Sequence, residues 1–292
     1  MKRQLRKFAG RWVRPFAPQF LRQAWGGPLY GFRPSSSCAR LENDEASGTV
    51  TFCDATTRTG LRLPEKTRAS LCYWAQANGK VREEWQALMR EMRSHRVLFD
   101  IGSYDGTEAL LFCTASPEHR AVVFEPSRDP MRGLQESLQA NGLASQVMVR
   151  ETAIGDTNER RQMYLGPEGM LEIVEGAGVP EWNLSQTFVE FRRLDDECRE
   201  LDLVPDLIRM DVDACELDVM RGAEHILSTH RPTIIMEIHL DLLEKRGQSA
   251  REICELFHQH QYALFSCLDE PLSPSRVFDA FDAVTNIVAR PQ

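Results

Sequence analysis

Val97-Leu98-Phe99-Asp100-Ile101-Gly102-Ser103-Tyr104-Asp105-Gly106 is an apolar run that ends in an acid, turns on two glycines and opens into the helical pattern Thr107 to Cys113. A parallel strand hands over to a helix in this way in a doubly wound sheet. The glycines let the backbone turn tightly and admit a ligand against the main chain. Free amides at the helix start can then hold the ligand's polar end. On this reading a valine at Gly102 blocks the ligand and spares the fold. A second buried strand, Ala121-Val122-Val123-Phe124, ends at Glu125, 25 positions beyond Asp100. An acid roughly 20 residues past the glycine turn, at the second strand tip, is placed to bind two ribose hydroxyls.

The glycine pattern selects among nucleoside cofactors. A dinucleotide fingerprint is G-x-G-x-x-G, whose second glycine makes room for a pyrophosphate. Here Tyr104 stands at that place, and the pattern is D-x-G-x-x-x-G from Asp100 to Gly106. A carboxylate in the turn suits a cationic amino end and repels phosphate. S-adenosylmethionine carries an amino group, a sulfonium and a ribose, and no phosphate. It is the expected cofactor, with a nicotinamide-dependent oxidoreductase as the alternative.

Composition narrows the class further. The 292 residues carry 42% hydrophobic side chains and a net charge of −8. No stretch approaches the roughly 20-residue apolar span of a membrane helix. The eight cysteines are scattered without a C-x-x-C pair, as in a reducing cytoplasm without disulfides, structural zinc or another metal. Residues 1–40 contain nine Lys or Arg and no acid, so the remainder carries −17. An acidic body fits a cationic cofactor and a small-molecule acceptor, and argues against nucleic acid as partner.

Leu5, Phe8, Trp12 and Phe16 fall on one side at helical spacing, opposite Lys2, Arg3, Arg6, Lys7, Arg11 and Arg14. Such a basic stripe over residues 1–20 can contact an anionic membrane, pack on the body, or serve as a targeting segment. The expected location is cytoplasmic, with peripheral membrane contact through that stripe as an alternative to its packing on the body. Residues 1–45 read as a basic arm and linker, 46–95 as a strand and helix extension, and 96–292 as the catalytic domain. Within them Thr49 to Phe52 pairs with Leu61 to Leu63, and Glu83 to Ser94 is a helix. Met131 to Ala140 is a helix, Val147 to Val149 a third core strand and Arg161 to Leu165 an added one. Residues 166–187 form a long loop of the kind that covers a site. Pro205 to Met210, Thr233 to Ile238, Tyr262 to Cys267 and Ala283 to Ala289 are further strands, with helices up to Leu227 and near Ala250 to His260. This alternation predicts an α/β fold with a doubly wound, mainly parallel seven-stranded sheet covered on both faces.

Four ordered motifs resemble the FkbM-type family of S-adenosylmethionine-dependent methyltransferases. They are Asp100-Ile101-Gly102-Ser103-Tyr104-Asp105-Gly106; Glu125-Pro126; Arg209-Met210-Asp211-Val212-Asp213-Ala214-Cys215-Glu216 with Val219-Met220-Arg221-Gly222; and Arg231-Pro232 through Glu237-Ile238-His239. The resemblance covers about residues 80–290 and implies a Rossmann-like class I fold and O-methylation of a sugar or polyketide-like hydroxyl. Tyr104-Asp105 departs from the family's small amide and aliphatic pair, and Asp213-Ala214 from its Glu-Gly, which leaves a non-catalytic member of the same fold as an alternative. The expected cofactor contacts are Asp100, Gly102, Ser103, Tyr104, Gly106, Glu125, Pro126 and Ala153, with Asp100 at the amino-acid end and Glu125 at the ribose.

Methyl transfer to oxygen needs alignment, water exclusion and removal of a hydroxyl proton. The chemistry of open α/β sheets sits beyond the carboxyl ends of the strands, where Asp211, Glu237 and His239 fall. His239 is the expected base because an unperturbed imidazole titrates near neutrality; its other reading is a capping or surface role. Asp213 and Glu216 are expected to cap or orient the helix after the fourth core strand.

Overall fold

The computed structural model describes residues 39–77, 79–165, 171–172, 185–273 and 284–292. The basic stripe, most of the expected linker and most of the 166–187 loop lie outside the described residues. Among those described, no helix is long and apolar enough to cross a membrane, and Cys53, Cys72, Cys113, Cys198, Cys215, Cys254 and Cys267 are free.

The chain opens with β1 (Arg40–Asp44), β2 (Thr49–Cys53) and β3 (Arg58–Arg62), a three-stranded antiparallel sheet. β1 begins inside the segment whose composition suggested a linker. Helices α1 (Glu65–Ala77) and α2 (Gly79–Glu91) lead into β4 (Val97–Ile101), α3 (Thr107–Thr114), β5 (Arg120–Phe124), α4 (Arg128–Asn141) and β6 (Val147–Arg150). A smaller sheet joins β7 (Ala153–Gly155), β8 (Glu159–Leu165), β9 (Leu171–Glu172) and β10 (Ser185–Arg193) in the order β7-β10-β8-β9. The second half holds α5 (Leu194–Leu201), β11 (Leu207–Met210), α6 (Glu216–Gly222), β12 (Thr233–His239), α7 (Leu240–Lys245), α8 (Ala250–Gln259), β13 (Tyr262–Ser266) and β14 (Val284–Pro291).

The central sheet has seven strands in the order β13-β14-β12-β11-β4-β5-β6. Neighbours from β12 to β6 run parallel, and β14 is antiparallel to both β12 and β13. The fold is therefore the expected doubly wound α/β architecture with seven strands. Two helices of the second half, α5 and α7, do not announce themselves in the sequence, because their short segments carry many charged residues between the apolar ones.

Strand side chains alternate between faces, and here the alternation sorts two cores. Leu98, Val123, Leu207, Ile235 and Val288 pack with α1 to α4 and the N-terminal sheet. Phe99, Ile101, Phe124, Ile208, Met210, Met236 and Ile238 pack with α5 to α8. Phe52 and Trp85 meet edge to face at 5.0 Å, so the N-terminal sheet shares the first core. Asn141 at the end of α4 accepts the Arg62 N–H at 2.9 Å and donates to the Arg62 carbonyl at 2.7 Å, which satisfies the open edge of β3.

The first face changes character along its strands. Stepping by two from Leu98, Leu207 and Ile235 reaches Asp100, Arg209, Asp211, Glu237 and His239. The register sets Arg209 beside Asp100 on β4 and beside Ile235 on β12. One edge of this face is thus charged while the opposite face stays apolar to its end.

Candidate active site at the carboxyl edge of the sheet

The turn after β4 is held by its own main chain. Gly102 has φ +73°, and its N–H donates to the Phe124 carbonyl at 2.9 Å. A Cβ on Gly102 would sit 2.0 Å from the Asp211 carbonyl oxygen, and one on Gly106 (φ +73°) 2.3 Å from a Leu134 methyl. These glycines leave room for the chain after β11 and for α4, so a valine at Gly102 attacks the fold, which corrects the expectation that it spares it. Ser103 is buried and its hydroxyl donates to Asp100. Tyr104 takes φ +53° and donates its N–H to Glu125 Oε2 at 2.9 Å. Asp105 Oδ1 accepts the Thr107 N–H at 3.2 Å and its hydroxyl at 2.7 Å, so the departure from the family's aliphatic residue ties down the start of α3. Burial, then the Glu108 charge, pushes Asp105 up to about 6.

Glu125 stands at the tip of β5. Its Oε2 takes Tyr104 and its Oε1 accepts the Ser127 N–H at 2.7 Å. Burial raises its pKa against those hydrogen bonds. Pro126 beside it lines a cleft of about 920 Å³ with Ser127, Arg128, Glu151, Arg160 and Phe188. The structure brings Gly102, Ser103, Tyr104, Gly106, Glu125 and Pro126 around one turn. Ala153 lies in the smaller sheet, paired with Phe191 of β10. Asp100 is fully buried between Ser103 and Arg209, where it braces the turn.

Arg209 is the hub of the charged face. It is 5% exposed. Its Nε donates to Glu84 Oε1 at 2.7 Å, Nη1 to the Gly102 carbonyl at 3.2 Å, and Nη2 to Asp211 Oδ2 at 3.2 Å. Its Nη1 also lies 3.5 Å from Asp100 Oδ1. Burial pushes Glu84 and Asp100 each up to about 7, against the pull of Arg209. The surrounding acids Glu84, Glu108, Asp211 and Asp100 outweigh burial and hold Arg209 well above its usual range.

At the tips of β11 and β12, four acids converge on one imidazole. His239 is 1% exposed. Glu216 Oε1 accepts its main-chain N–H at 3.0 Å and lies 2.6 Å from Nδ1, so that nitrogen carries a proton. Nε2 faces Asp213 Oδ1 at 3.1 Å, Asp211 Oδ1 at 3.5 Å and Glu237 Oε1 at 3.6 Å. Burial would lower the imidazole pKa, but Asp213, Glu216, Asp211 and Glu237 override it and raise it to about 10. The surrounding acids thus favour the protonated form of His239, against the expectation of a free base near neutrality. Burial, then Asp211, pushes Glu237 up to about 8 against the His239 charge.

Asp211, Glu237 and His239 come together as the sequence proposed. Glu216, expected to cap α6, grips His239 instead, and α6 has no side-chain cap. Asp213 and Ala214 adopt φ +38° and +71°, so alanine occupies a left-handed position that favours glycine. Glu84 and Arg209 were missed as site residues. The available signal was the period-two spacing of Arg209 from Asp211; Glu84 offered none, being 125 positions from its partner.

The methyltransferase FkbM domain family matches residues 100–264. A 2-O-methyltransferase, NoeI of Sinorhizobium fredii (strain NBRC 101917 / NGR234), is 32% identical in an alignment that covers 46% of this chain and 60% of that protein. The chain thus spans about 60% of the length of that relative. Among solved structures, methyltransferase FkbM from Methylobacillus flagellatus KT is similar at 18% identity and TM-score 0.43, over 68% of this chain and 43% of the other. A putative caffeoyl-CoA O-methyltransferase from Staphylococcus aureus is similar at 12% identity and TM-score 0.43, over 76% and 91%.

Proposed function

This chain belongs to the methyltransferase FkbM family, and from that premise we propose that it methylates an alcohol oxygen of a sugar-like small molecule with S-adenosylmethionine as donor. The observation that carries the reading is the junction of the glycine turn with the acid cluster: Gly102 lies against the Asp211 carbonyl, so donor turn and acceptor acids share one edge. The relative NoeI is a 2-O-methyltransferase, which agrees with an oxygen acceptor.

The turn fits such a donor. Glu125 has accepted two N–H groups, and a carboxylate offers about four lone pairs, so it keeps acceptor capacity for ribose hydroxyls. The carboxylates of Asp105 and Glu125 make the turn hostile to phosphate and favourable to a cation. Bound there, S-adenosylmethionine supplies a methyl carbon made electrophilic by its sulfonium sulfur. The chain's own residues then have two tasks. The turn residues fix the donor, which contributes by alignment. The β11–β12 acids receive the acceptor, whose hydroxyl proton goes to the Glu237 carboxylate while His239 and Arg209 hold the other acids in place. A polyhydroxyl acceptor can donate to several of these carboxylates at once, which favours a sugar-like molecule over an apolar polyketide.

The test is turnover with a panel of hydroxylated acceptors, read as S-adenosylhomocysteine release. Glu237→Gln is expected to lower kcat by about 10²-fold or more while leaving cofactor affinity within about threefold. Equal kcat in the two proteins at saturating acceptor would remove Glu237 from the proton path. Turnover on polyketide hydroxyls and none on sugars would reverse the substrate class.

A further inference from the structure

We propose that Asp211, Glu237 and His239 form a site for a divalent cation of the Mg²⁺ and Mn²⁺ class, with Asp213 at its rim. The binding itself is independent of the methyl-transfer reading; its use, to hold the acceptor hydroxyl oxygen, rests on that reading. The sequence alone led us to expect no metal.

The spacing is right for one shared ion. Oxygen ligands about 2.1 Å from a six-coordinate cation lie about 3 Å apart when adjacent and about 4.2 Å apart when opposite. Here one ligand atom each from Asp211, Glu237 and His239 lies within 4.8 Å of the others. Nε2 of His239 stands 3.5 Å from Asp211 Oδ1 and 3.6 Å from Glu237 Oε1, so small side-chain shifts bring all three onto one ion.

The imidazole is prepared as a ligand. Glu216 holds Nδ1 at 2.6 Å and the His239 main-chain N–H at 3.0 Å. Nδ1 keeps its proton toward Glu216, and a cation takes the place of the Nε2 proton, which is released to solvent; an outer carboxylate orients a metal-bound histidine in this way. The acid excess asks for a cation: Glu84, Asp100, Asp211, Asp213, Glu216 and Glu237 surround Arg209 and His239. Carboxylates with one imidazole suit Mg²⁺ or Mn²⁺ better than thiolate-seeking metals. The site is also open on one side. The side chains of Asp211 and Asp213 are 31% and 40% exposed, while His239 is 2%, which leaves coordination positions for water or an acceptor oxygen.

Mn²⁺ is the probe, titrated into EDTA-treated full-length protein and followed by electron paramagnetic resonance. One saturable site is expected, weakened at least tenfold by Asp211→Asn and by Glu237→Gln and unchanged by the remote Asp269→Asn. Electron spin echo spectra of the wild type need no variant: they should show the nitrogen coupling of a coordinated imidazole. Water coupling alone, no saturable site, or equal binding in both cluster variants would overturn the inference. S-adenosylhomocysteine binding is measured on the same samples. Mn²⁺ bound without the thioether would keep the cation site and remove the methyl-transfer reading; the reverse pattern would do the opposite.

Discussion

The acids at the tips of β4 and β5 and the acids at the tips of β11 and β12 share one edge of the sheet, yet the protein treats them in opposite ways. Asp100 and Glu125 are each met by donors: Ser103 and Arg209 for the first, two main-chain N–H groups for the second. Asp211, Asp213, Glu216 and Glu237 instead crowd a single imidazole. The first pair is built into a turn and shapes it. The second set concentrates negative charge at a partly open position, where a proton or a cation completes it. Acids at strand ends are therefore not one class, and what donates to each of them separates the glycine turn from the cluster around His239.

Two residues join the halves, and removing either should damage both. Gly102→Val has the largest expected effect. Its side chain would enter the Asp211 carbonyl in a left-handed backbone conformation, costing more than about 3 kcal/mol. The expected outcome is loss of the cooperative unfolding transition or a much lower urea midpoint; a native midpoint would show that the halves do not meet there. Arg209→Met comes next. It leaves Glu84 and Asp100 buried without their cation, a loss of about 3–5 kcal/mol. Denaturant unfolding checks it, and a loss under about 1 kcal/mol would mean the acids are neutral and need no partner.

The smallest effect sharpens the acceptor side alone. Ala214 holds φ +71° where the related motifs carry glycine. Ala214→Gly should relieve strain of about 1 kcal/mol, within the usual cost of a left-handed L-residue, and leave the turn after β4 untouched. Thermal unfolding should shift upward, by about 2–4 °C for a chain of this size. A downward shift would mean that the alanine methyl is packed, not strained.

The glycine turn was legible because it is local. Asp100 through Gly106 is one contiguous turn, and Glu125 is the tip of the next strand, one helix further on. The seven-stranded sheet followed from the same alternation. The acceptor half was legible only as positions. Asp211, Glu237 and His239 could be placed at strand ends, but the pKa of His239 depends on Asp213 and Glu216 turning toward it, which no spacing reveals. Arg209 beside Asp100 is a register fact between strands 109 positions apart. Glu84 hides in a helix whose apolar stripe reads as core, and Trp85 next to it does pack there. β10 escaped because Phe188 is exposed while Val189 and Phe191 are buried, which blurs the period-two pattern.

Calorimetric titration of S-adenosylhomocysteine into the wild type, Glu125→Ala and Glu237→Gln tests the division of labour most directly. The account predicts one tight site in the wild type and nearly equal affinity in Glu237→Gln. In Glu125→Ala it predicts a loss of about 1–3 kcal/mol, the scale of hydrogen bonds to a charged acceptor. Equal affinity in all three proteins, or a wild type that binds NAD and not the thioether, would contradict it.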